Sequence, residues 1–156
     1  SNIMSNLLVQ NIKHTNNTSA QTIDSSGRTT AVLNNDTTYR SDSGAVTQNM
    51  VQGLLKNWAN FDQRSTPYAR DSFNTASFTD QDTGKVYVNF TNNMANDKFS
   101  VTTQGGRDVD YIIGCRVNEH STSTYRITST NTPYGGASQS YVDTDSAFCQ
   151  CSGDLA

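Results

Sequence analysis

Charge is the first thing this sequence is short of. Charged residues make up 16% of its 156 positions, and the 11 Lys and Arg are scattered along the chain. A nucleic-acid interface needs Lys and Arg gathered on one face, so the sequence argues against that partner. It is also short of apolar residues, at 33% against the usual share of about 45–50%, which also counts Gly. No run of 18 apolar residues exists, so no stretch is built to cross a bilayer as a helix. There are two histidines, His14 and His120, and a single glutamate, Glu119. A Ser–His–Asp or Cys–His site needs a base held by a third group and aimed at the nucleophile, and no spacing here suggests one. Carboxylate pairs for glycoside hydrolysis are equally unmarked. The chain reads as no enzyme, with no cofactor.

What is present points to a folded, β-rich chain. Disorder pairs low hydrophobicity with high net charge, but the net charge is only −3 and there are 7 Tyr and 6 Phe. Thr and the aromatics suit a pleated, half-buried strand. The length fits one domain. A polar but uncharged surface is common on secreted and cell-surface proteins. The chain opens Ser1-Asn2 rather than on Met, so a processed or recombinant fragment is expected, with any membrane or targeting segment upstream.

The most periodic stretch is Val46 to Phe61. Val46, Met50, Val51, Leu54, Leu55, Trp58 and Phe61 recur at three- and four-residue steps, which predicts a helix with one apolar face. Its core-facing set is Val46, Met50, Leu54, Leu55, Trp58 and Phe61. Asp42 or Ser43 is placed to cap it. It should end before Pro67, because the residue ahead of a proline avoids the α region. Ile3, Met4, Leu7, Leu8 and Ile12 make a second, shorter helical pattern. Between the two lies a polar connection with a turn at Asp24-Ser25-Ser26-Gly27 and one short strand near 29–33.

Beyond Pro67 the period becomes two. Asp80 to Gly84 reads as a hairpin between 77–79 and 85–91. It resembles the start of a calcium loop but lacks the distal Glu. Val86, Val88 and Phe90 share one face. Phe99 and Val101 mark another strand, Val109 to Val117 a third, and Tyr125 with Ile127 a fourth. Short turns between sequential strands predict an antiparallel meander. Asp143 and Asp145, at i and i+2 of an extended tail, could share a cation, although solvated carboxylates are the commoner outcome. Asn16, Asn17, Asn35 and Asn89 begin N-x-Ser/Thr triplets, which chance explains in so Asn- and Thr-rich a chain.

The cysteines are Cys115, Cys149 and Cys151. Two residues apart in an extended chain is poor geometry for a Cys149–Cys151 bridge. The expected disulfide joins Cys115 to Cys149 or Cys151. It would close a loop of about 35 residues and stabilise by about 3–4 kcal/mol in the chain-entropy account. Three buried thiols are the alternative. Zinc would need more ligands than three cysteines without a nearby His.

Taken together, the layout resembles the soluble part of a type IV pilin or pseudopilin. The matching features are the apolar segment Ile3 to Lys13, a polar connecting region with its own helix (Val46 to Phe61), and a Pro67-Tyr68 step. A meander and a C-terminal segment bracketed by cysteines follow. The family's diagnostic processed N-terminus with its Glu is absent, and the third cysteine and acidic tail fall outside the pattern. The resemblance implies an α+β fold, with helices at about 3–13 and 45–61 packed on a meander of about four to five antiparallel strands. The single domain would then divide into the end of an N-terminal helix (1–20), a connecting region (21–76), a sheet (77–130) and a disulfide-pinned tail (131–156). It implies an assembly subunit of an extracellular filament acting in adhesion, motility, DNA uptake or secretion. Its partners would be other pilin subunits through the N-terminal helix, together with host or surface ligands. It would meet a membrane only through a segment outside this sequence. The competing class is a secreted β-rich carbohydrate- or protein-binding module, with Tyr134 and Tyr141 as stacking platforms.

Overall fold

In the computed structural model the described residues are 11–13, 19–34, 36–40, 44, 46–106, 112–132 and 138–156. Of these, 65% are strand and 3% helix. The strands are β1 (Asn11–Lys13), β2 (Ser19–Ile23), β3 (Thr29–Ala31), β4 (Thr38–Arg40), β5 (Thr47–Asn49), β6 (Leu55–Asp62) and β7 (Tyr68–Phe73). They continue as β8 (Thr75–Asp82), β9 (Lys85–Phe90), β10 (Ser100–Gly106), β11 (Ile112–Ser121), β12 (Thr124–Thr132), β13 (Ser140–Tyr141) and β14 (Ser146–Ser152). The helix is one turn, α1 (Met50–Gly53). The chain divides into two units, Ser1–Val51 and Gln52–Ala156.

In the first unit β1, β2 and β3 form an antiparallel sheet, and β4 and β5 a two-stranded ribbon. The turn at Asp24 to Gly27 joins β2 to β3. Asp24 Oδ1 accepts from the amides of Ser26 (2.8 Å) and Arg28 (3.0 Å), its Oδ2 from Arg28 Nε (2.8 Å), and Gly27 takes φ +76°. None of the described residues in this unit is buried. Val46 is 76% exposed and Val32 66%, and Ile12, Leu33 and Tyr39 are exposed as well.

The second unit is a β-sandwich. One sheet has the order β10-β14-β6-β7, the other β11-β12-β9-β8 with β13 added beside β12, and every pairing is antiparallel. Strict alternation builds the interior. Ala59 and Phe61 of β6 and Ala147, Cys149 and Cys151 of β14 meet Val86, Val88 and Phe90 of β9 and Tyr125 and Ile127 of β12. Phe61 stacks on Phe78 at 4.5 Å, and Phe90 meets Phe99 edge-on at 5.6 Å. Asn74, at φ +55°, turns the chain from β7 in one sheet to β8 in the other. Its amide donates to the Lys56 and Asn92 carbonyls (2.8 and 3.1 Å) and accepts from the Asn92 amide (2.7 Å). At the β8–β9 turn Gly84 takes φ +69°, and a Cβ there would lie 2.5 Å from the Ser129 carbonyl oxygen.

This architecture overturns the α+β expectation, the helix over 45–61 and the pilin resemblance that rested on them. Residues 55–62 are a central strand, 50–53 a single turn, and 11–13 a strand, while 3–10 lie outside the described residues. Of the expected helix core, only Phe61 is buried; Val46, Leu54 and Leu55 are exposed, and Met50 and Trp58 half-buried. The physical reason is tertiary. β6 is completed by ladders to β14 on one side and β7 on the other, and that pairing overrides the helical apolar spacing.

Candidate binding face

The outer surface of the β10-β14-β6-β7 sheet is the most distinctive feature outside the core. Cross-strand partners share a face. The register therefore sets Thr102, Gln150, Trp58 and Phe73 in one row across the four strands, and Gln104, Phe148, Asn60 and Asp71 in the next. Their sequence neighbours Thr103, Cys149, Ala59 and Ser72 point inward. Trp58 is thus beside Phe73 and diagonal to Phe148. Phe73 is 53% exposed, Phe148 43%, and Trp58 half-buried.

β6 reaches this arrangement by an inverted pattern, with an amide inside and the indole outside. Asn57 is fully buried. Its Nδ2 donates to the carbonyls of Phe73 (3.0 Å) and Asn74 (3.2 Å) and to Thr75 Oγ1 (2.8 Å), while its Oδ1 accepts from the Tyr125 hydroxyl (2.8 Å). One side chain thereby locks β6 to the β7–β8 corner and to the opposite sheet. The irregularity between Asn60 and Phe61 on β6 leaves Arg70 of β7 outside the pairing.

The face is nearly free of net charge. Asp71 supplies its one carboxylate in the two rows, and Oδ1 of Asp71 accepts from the Ser72 amide (2.8 Å). At one end Asp62 carries two arginines, Arg64 at 2.7 Å and Arg70 at 3.4 Å, with Arg64 also 4.0 Å from Asp145. The hydrogen bond from Arg64 holds the Asp62 carboxyl below its ordinary range. Between β10 and β14 the surface dips into an open depression of about 230 Å³ bordered by Thr102, Gln104, Phe148 and Gln150. Asn60 Oδ1 is enclosed and has no hydrogen-bond partner.

The other residues singled out from the sequence do not converge. Cys115 lies on β11, half-buried, 3.3 Å from Ser129 Oγ; Cys149 and Cys151 lie buried on β14, and all three are free thiols. Burial pushes the Cys149 and Cys151 thiols up to about 11. With the thiols free, an extracytoplasmic address has only the composition behind it. Asp143 accepts from the Gly84 amide (2.6 Å), whereas Asp145 faces Arg64, so the two carboxylates serve different partners. Among the described residues no cluster of His, Cys, Asp and Glu could hold a metal ion. Glu119, at φ +50° on a β11 irregularity, binds Arg126 (2.5 Å) and the Tyr87 hydroxyl. His120 packs against the Phe99 ring at 5.4 Å. The expected hairpin is present but tighter than the sequence suggested, since Asp80 to Asp82 belong to β8 and the turn is Thr83-Gly84. Asn89 Nδ2 donates to Ser77 and Thr79 hydroxyls. Tyr141 is exposed, with Lys85 Nζ 4.6 Å from its ring centre. Tyr134, His14, Asn16, Asn17 and Asn35 lie outside the described residues.

No family model, curated protein or solved structure matches the chain. The reading of function therefore stands on the residues themselves.

Proposed function

We propose that this chain is a non-catalytic recognition subunit of an extracellular assembly. The second unit binds a carbohydrate or protein surface, and the first unit joins copies of the chain. The observation that carries this is the contrast between the units. The second has a packed core, while the described strands of the first bury no side chain. Isolated hairpins are marginally stable in water and need a hydrophobic face covered by something else. Ile12, Val32, Leu33, Tyr39 and Val46 are the apolar side chains that copies would cover for one another. Joining copies multiplies a weak site by raising the effective concentration of its neighbours. Light scattering on the full chain at micromolar concentration tests the assembly. A multimer is expected, and Val32→Asp with Val46→Asp should shift it toward monomer without moving the melting of the sandwich. A monomeric wild-type chain refutes self-assembly.

A further inference from the structure

We propose that the outer face of the β10-β14-β6-β7 sheet is a binding site for a neutral oligosaccharide. It rests on the reading of the second unit as the recognising part. Trp58, Phe73 and Phe148 are the stacking surfaces, and the exposed Gln104 and Gln150 the hydrogen-bonding groups.

The chemistry of a sugar ring has two sides. Its axial C–H face is apolar and slightly positive, and it suits the negative face of an aromatic ring. Its rim carries hydroxyls that both donate and accept, and a carboxamide does both, with two donors and one acceptor. This face alternates the two. Phe148 sits between Gln104 and Asn60 in its row, and Trp58 between Gln150 and Phe73 in the other. Single exposed aromatics are ordinary. Three of them as direct or diagonal cross-strand neighbours, beside an open depression of about 230 Å³, are not accounted for by the fold.

Size and charge select the ligand. Four strands about 4.8 Å apart make a strip of about 14 Å, and its two rows are about 7 Å apart. A stable protein interface covers about 800 Å² per partner, several times the strip. Its length fits a short oligosaccharide. Phosphate recognition would require Lys or Arg. The two rows contain neither, and Asp71 would repel an anion. The arginines at the edge, Arg64 and Arg70, are both engaged by Asp62.

Trp58 is the only tryptophan, so intrinsic fluorescence reports on the proposed site directly. The full chain is titrated with soluble neutral oligosaccharides from glucans, mannans, galactans and N-acetylhexosamine polymers, with an acidic oligosaccharide alongside. At least one neutral series should give a saturable change in emission. Phe73→Ala and Gln150→Ala should each weaken it at least tenfold with melting unchanged, Phe73→Tyr should retain it, and Tyr141→Ala should leave it unaltered. A silent titration with every neutral series overturns the site. So does binding that survives both Phe73→Ala and Gln150→Ala, or binding of the acidic ligand alone, or occupation of this face by a protein instead. The same titration on the Val32→Asp, Val46→Asp chain separates the two proposals. Sugar binding by a monomer supports the site whatever becomes of self-assembly, and a silent multimer overturns the site alone.

Discussion

Phe61→Ala and Trp58→Ala, three residues apart, make the sharpest test of how β6 is built. In a helix, positions three apart share a face, and truncating either would open the same core. In a strand they face opposite ways. Phe61 is fully buried and stacks on Phe78 at 4.5 Å, and a Phe→Ala change in such a place costs about 3–5 kcal/mol. Trp58 is half-buried on the outer face, so its truncation should cost about 1 kcal/mol, the ordinary value for a substitution that opens no cavity. For a unit of this size each kcal/mol lowers Tm by about 4 °C. Phe61→Ala should therefore lose about 12–20 °C, and Trp58→Ala about 4 °C. Circular dichroism is the readout, since the second variant lacks the fluorophore. Equal losses, or a larger one for Trp58→Ala, would refute the placement of β6.

Two further outcomes follow from the interior. Tyr125→Phe strands the Asn57 Oδ1, and Asn57→Ala removes the acceptor of the Tyr125 hydroxyl and one donor from each of the Phe73 and Asn74 carbonyls, the latter keeping the Thr91 amide at 3.3 Å. Urea unfolding should show the first costing about 1–3 kcal/mol and the second more. The double variant should fall short of their sum by at least about 0.5 kcal/mol, and strict additivity would mean that the two groups are uncoupled. Cys149 and Cys151, pushed up to about 11, stay protonated in the fold while the unfolded chain releases their protons near pH 9. The thiols' contribution to stability should thus be constant below about pH 8.5 and fall from there toward pH 11. Cys149→Ala should reduce that alkaline slope; a slope unchanged in this variant, or rising stability, would contradict the burial of its thiol.

The legible part of the fold was the part where alternation was clean. Val86, Val88, Phe90, Tyr125 and Ile127 read as inward-facing from the sequence and are buried, and the turns at Gly27 and Gly84 fall where glycine takes a positive φ. β7 was invisible because it is an edge strand whose residues, Tyr68 to Phe73, are nearly all exposed. β14 was invisible because its inward residues are Ala147, Cys149 and Cys151, too small to stand out beside an outward Phe148. The binding face was illegible for the same reason. Its aromatics sit singly among polar residues on three different strands, and only the register brings Trp58, Phe73 and Phe148 together.

β6 is the most instructive failure. A strand with Asn57 inside and Trp58 outside reverses the usual sorting, and the reversal erased the two-residue period that would have marked it. The two halves of that reversal have different explanations. Asn57 is no anomaly energetically, because its amide protons and its oxygen all find partners, which is what a buried carboxamide requires. Trp58 has no such account. Turning the chain's one indole outward forgoes burial energy without adding a hydrogen bond to the core, and Phe73 on the neighbouring strand does the same at the same level of the sheet. Local choices that run against the fold concentrate where function, rather than folding, selected the residue. By that reasoning the departure in β6 and the proposed sugar site are one feature, and Trp58 belongs to the ligand side of the protein's energetics rather than to its core.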